Sequence, residues 1–93
     1  MRDLLANTEK EPTLEDLCVL NHTVAHGFSF LAVRFMGREV AQRVCKSDAG
    51  FYIGAVDNET WEPLARDSEE YWATKEEADH ALKNRTWSQR LHP

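Results

Sequence analysis

The chain is short of several things that would make it easy to classify. It has two cysteines in 93 residues, Cys18 and Cys45. They are too few and too far apart to form a disulfide framework, so both are expected as free thiols in a reducing compartment. The four glycines are scattered, which excludes a glycine-rich loop that could cradle a phosphate. No segment approaches the roughly 20 apolar residues of a membrane span. The opening "MRDLLANTEKEPT" lacks the apolar core of a secretory signal, so a cytoplasmic location is expected. Ser29, Ser47, Ser68 and Ser88 sit in no nucleophile-elbow pattern. No cofactor motif, internal repeat or low-complexity stretch occurs, and no enzymatic activity is expected.

Positive charge is also scarce. The net charge is −5, from 11 basic and 16 acidic side chains. Nucleic-acid binding needs a positive surface to displace phosphate counterions, so direct binding is not expected. The imbalance is uneven along the chain. Residues 27–56 carry four basic and two acidic groups, while residues 57–93 carry five basic and nine acidic ones.

What is present is enough apolar material for a fold: 42% hydrophobic residues, with three tryptophans. Residues 1–11 read as a flexible arm and residues 12–93 as one α+β domain. A helix is expected over Leu14–His26, capped by Thr13 and ended by Gly27. Its buried stripe should be Leu14, Leu17, Cys18, Asn21, Val24 and Ala25. In "FSFLAVRFMGREVAQRVCK", Leu31, Val33 and Phe35 alternate, as do Val40 and Val44. With Gly37-Arg38 as a two-residue turn, this predicts a hairpin pairing Phe35 with Val40 and Leu31 with Val44. Its apolar face would pack on the first helix.

"FYIGAV" predicts a further strand, in which Gly54 marks a bulge or a close approach. "WEPLAR" predicts a last one, confined to a sheet edge by Pro63. "DSEE" reads as an exposed loop. Thr74 and Glu77 form a capping box that starts a helix ending near Asn84, with Ala78, Ala81 and Leu82 as its apolar side. Trp87 and Leu91 should fold the tail back onto the body. The order is α-β-β-β-(β)-α, an antiparallel meander of three or four strands with a helix at each end.

Two constellations could carry function. Cys18, His22 and His26 recur every fourth residue, and all are residue types that bind zinc. A straight helix cannot wrap three such ligands around one ion, however, and the glutamate of the zinc-protease pattern is replaced by Thr23. These residues are therefore expected to border a helix face, with metal binding as an alternative. The second constellation is the acidic segment from Asp57 to Asp79, interleaved with Trp61, Tyr71 and Trp72. Aromatics supply contact energy and carboxylates steer a partner, so Trp61, Glu69, Glu70, Tyr71 and Trp72 are the candidate protein-binding residues. An inhibitor that imitates nucleic acid is a further alternative. A basic face with Arg34, Arg38, Arg43 and Lys46 is a secondary contact surface. A homodimer is possible through an uncovered sheet edge.

The segments "GFYIG", "ARDSEEYWATKEEADHAL" and "WSQRLHP" give the C-terminal half a resemblance. It resembles small accessory proteins, of no assigned activity, carried by bacterial plasmids and integrative conjugative elements. The resemblance implies a bacterial cytoplasmic protein that acts by binding another protein. It implies no catalytic residue, and it does not reach the first helix.

Overall fold

The computed structural model describes residues 12–93; the arm expected over residues 1–11 lies outside them. The fold is α+β. Among the described residues three helices, α1 (Leu14–His26), α2 (Phe30–Met36) and α3 (Lys75–Asn84), accompany three strands, β1 (Arg43–Ser47), β2 (Gly50–Val56) and β3 (Pro63–Arg66). The strands form one antiparallel sheet in the order β1-β2-β3, so the expected meander is present and β3, with its Pro63, lies at an edge. Among the described residues no helix is long and apolar enough to cross a membrane.

The caps read from the sequence are in place. Thr13 and Asp16 form a reciprocal capping box on α1, as do Thr74 and Glu77 on α3. Each box satisfies amide groups that the first helical turn leaves without partners. Gly27 ends α1 in the left-handed conformation, at φ 74°.

One expected element has a different identity. "FLAVRFM" is helix α2 and not a strand, so the predicted pairings of Phe35 with Val40 and Leu31 with Val44 do not occur. Gly37 adopts the left-handed conformation and closes a helix, donating to the carbonyls of Ala32 and Val33. The N-terminus of α2 is held by Ser29 Oγ on the Ala32 N–H and by Asp67 Oδ1 on the Leu31 N–H, at 3.0 Å. A helix of two turns is marginal alone, and such fixed acceptors stabilise it. The chain beyond Gly37 returns beside the α1–α2 link, where Ser29 N–H donates to Val40 and Gln42 N–H donates to Gly27.

The first helix is also rotated relative to the expected stripe. Asp16 and Thr23 face inward, while Leu14, Leu17, Cys18, Asn21, Val24 and Ala25 are exposed, Leu14 by 82%. The cause is polar. Arg34 of α2 reaches back to Asp16, donating from Nε to Oδ1 at 2.8 Å, and α1 therefore docks on α2 and not on the sheet. The buried side of the sheet is served by α3 on β1 and β2 and by α2 on β3. Ala32, Val40 and Ala55 form the centre of the core with Leu64 against it, and Ala78 and Ala81 are buried as expected.

Gly54 is a point of close approach. A Cβ there would collide with the Ala65 carbonyl of β3, next to an irregularity in pairing at Ala55/Val56. The tail does fold back: Gln89 pairs with Ser68, and Ser88 and Arg90 bond to the backbone of Glu69 and Asp67.

Candidate functional site

Antiparallel partners project to the same side of a sheet, and alternate residues along a strand share that side. The register pairs Arg43 with Gly54, Cys45 with Tyr52 and Gly54 with Arg66. Arg43, Cys45, Tyr52 and Arg66 therefore share one face. Two aromatic residues from loops lie against it. Trp61, from the β2–β3 turn, lies over Arg43, whose guanidinium carbon is 5.1 Å from the ring centroid. Tyr71 lies over Arg66 at 4.6 Å and meets Tyr52 edge-on at 6.1 Å. An open hollow of about 310 Å³ lies between Tyr52, Tyr71, Arg66 and the backbone of β3.

Trp61 is 63% exposed and Tyr71 is 41% exposed. The backbone that holds Trp61 is unusual. Asp57 accepts amide hydrogens from Glu59 and Thr60, and its carbonyl accepts the Trp61 N–H, which drives Trp61 to φ 63°. Glycine or asparagine is the ordinary occupant of such a position.

The titratable groups of this region are set by their surroundings. The N–H groups of Glu59 and Thr60, with the Arg38 guanidinium behind them, hold the Asp57 carboxyl below the usual carboxylate range. Burial raises both the Cys45 thiol and the Tyr52 phenol. Burial also acts to raise Glu70, but the hydrogen bonds it accepts from Ser88 outweigh that and leave it lowered.

The expected acidic–aromatic residues are only partly brought together. Trp61, Glu69 and Tyr71 are exposed. Glu70 is occupied by Ser88, and Trp72 is half-buried, exchanging backbone hydrogen bonds with Phe51 at 2.8 Å. Asp67 and Ser68 are fully buried, so "DSEE" is not the exposed loop expected. Asp67 accepts from Leu31 N–H, Gln42 Nε2 and Gln89 Nε2, and so joins three distant segments. Several other acids are engaged singly: Asp57 with Arg38, Glu77 with the α3 cap and Asp79 with Lys75.

The Cys18/His22/His26 stripe is exposed. Its histidine rings lie tilted against each other, His26 stacks on Phe28, and His22 Nε2 lies 3.0 Å from Glu39. Among the described residues no three His, Cys, Asp or Glu side chains are grouped so as to hold a metal ion. Of the basic surface, Arg34 is paired with Asp16 and Glu15, and Arg38 with Asp57. Arg43 and Lys46 carry no ion pair among the described residues and lie instead over Trp61 and Phe51.

Arg66 and Tyr52 are the members of this face that the sequence alone did not single out. The available signal was the period-two alternation along "FYIGAV". It places Tyr52 on the side opposite Ile53, where it is buried under Tyr71 beside Cys45.

No protein-family model, no curated protein and no solved structure matches the chain. The class defined by fold and face together is a small α+β domain presenting arginines and aromatics from an antiparallel sheet.

Proposed function

We propose that the protein is a small regulatory or accessory protein that acts by binding another protein through the arginine–aromatic face of its sheet. Trp61 carries this reading. A bulky residue in the left-handed region costs about 1–2 kcal/mol, which glycine would avoid, and the indole so held is mostly in solvent. Tryptophan, tyrosine and arginine are the residue types that dominate contact energies. Arg43 and Arg66 stack on the two exposed rings, which leaves both side chains preorganised. Arg43 and Lys46, in no ion pair among the described residues, would steer the approach of an acidic surface. The setting of a bacterial cytoplasm and a mobile element rests on the resemblance of the C-terminal half alone.

The test is photo-cross-linking in bacterial lysate, with benzoylphenylalanine in place of Trp61 and, as control, in place of the exposed Lys83. One defined protein captured from position 61, and lost on Tyr71→Ala, supports the proposal. Equal capture from both positions, or none, removes this face from consideration.

A further inference from the structure

Resting on that reading of the face, we propose that the outer edge of β1 accepts an extended acidic segment of a partner protein as a fourth strand, with Arg43 and Lys46 selecting its charge. The argument begins with backbone groups. β1 is an edge strand, and the two-residue turn Asp48-Ala49 pairs Ser47 with Gly50. In an antiparallel pair, residues that exchange hydrogen bonds alternate with pairs whose N–H and C=O groups all point outward. The phase can be read from β2. Phe51 turns its N–H and C=O away from β1 to Trp72, and Ile53 turns its own to Ser68 and Asp67. Their partners across the ladder are Lys46 and Val44. The N–H and C=O groups of Val44 and Lys46 therefore point out from the sheet edge. None of these four groups has a partner among the described residues.

A ready-made edge of this kind invites pairing, and natural edges are guarded by charge. Here the guards are the exposed Arg43 and Lys46, neither in an ion pair among the described residues. Antiparallel pairing of β1 with a second copy about Cys45 would bring the two Lys46 side chains onto one face as diagonal neighbours. A strand carrying glutamates or aspartates would remove that repulsion and use the same four backbone groups. Arg43 and Lys46 lie on opposite faces of the strand, three positions apart, so the incoming segment should present acids with the same offset. A hollow of about 240 Å³ between Arg43, Cys45, Val56 and Trp61 lies along this edge and can receive a small apolar side chain of the added strand. Main-chain bonds then give affinity and the alternate side chains give selectivity.

The probe is a fluorescein-labelled ten-residue peptide of Val and Thr with Glu at every third position, so that successive acids fall on opposite faces of the strand. It is compared with the same peptide carrying Lys for Glu and with a 15-nucleotide oligothymidylate. Fluorescence anisotropy should show saturable binding of the Glu peptide and at least tenfold weaker binding of the Lys peptide. Hydrogen exchange at Val44 and Lys46 should slow in the complex. Lys46→Pro removes one outward N–H without touching the β2 ladder and should weaken binding at least tenfold with the circular dichroism spectrum retained. The double variant Arg43→Glu/Lys46→Glu, which keeps all backbone donors, should invert the preference between the two peptides.

Binding of the Glu peptide unchanged by both variants overturns strand addition, as do unprotected Val44 and Lys46 amides in the complex. If capture from position 61 nonetheless persists, the face reading stands without it. No Glu-peptide binding up to millimolar concentration, or preferential binding of oligothymidylate, overturns it as well.

Discussion

At the scale of single residues, two positions show stability and use pulling apart. Replacing Trp61 with glycine relieves a left-handed strain of about 1–2 kcal/mol. It forfeits a cation–π contact of about 0.5–1 kcal/mol and adds a similar entropic penalty for glycine. These contributions nearly cancel. Trp61→Gly should leave the urea unfolding midpoint within error of the parent while abolishing capture of a partner through this face. Asp67 is the opposite case, a residue committed wholly to the fold. Its carboxylate accepts three side-chain or backbone donors in a fully buried site. Asp67→Ala leaves those donors stranded and should cost about 3 kcal/mol or more, measurable by urea denaturation. The two thiols differ as well. Cys18 is exposed, while Cys45 is buried with its thiol pushed up by burial. Native protein at pH 8 should take up one equivalent of iodoacetamide rapidly and the second only on unfolding.

At the scale of elements, the termini of helices were the legible part. Thr13, Gly27, Thr74 and Glu77 act locally, through bonds to residues three or four positions away, so their spacing carries the information. The misread element, α2, is decided by partners far along the chain. Alternating Leu31, Val33 and Phe35 satisfy a strand pattern and a short helix equally, and the bond from Leu31 N–H to Asp67 spans 36 positions. The rotation of α1 has the same origin: nothing in "LEDLCVLNHTVAH" announces that Asp16 will be drawn inward by Arg34. The candidate site was half legible. Trp61 and Tyr71 stand out by composition, but their stacking on Arg43 and Arg66 depends on strand register.

The Asp16 carboxyl is held below its ordinary value by the Thr13 N–H, against the effect of burial and with help from Arg34. A carboxyl lowered in the folded state contributes stability that is fully present above its unfolded pKa of about 3.9 and lost as pH falls through the lower folded value. Asp57 and Glu70 are lowered too, so they act in the same direction. The unfolding midpoint should therefore drop on acidification below about pH 4. Asp16→Asn should be less stable than the parent at pH 7 and lose less on the same acidification.

At the scale of the whole molecule, the long axis of 43 Å against 26 and 23 Å accompanies an α1 docked on α2 and not on the sheet, where a flat covering layer was expected. The C-terminal residues matter out of proportion to their number. Gln89 shares Asp67 with α2 and Gln42, and Ser88 holds Glu70. Removing Ser88–Pro93 should lower the melting temperature by about 10 °C, taking a loss of about 2 kcal/mol and 4–8 °C per kcal/mol for a domain of this size. The Asp67 junction also has a consequence for biosynthesis. Because one of its donors lies at position 89, the chain up to that residue must leave the ribosome before the anchor of α2 can be completed. A nascent chain arrested before position 89 emerges should therefore remain protease-sensitive and harden only once Gln89 is free to bond.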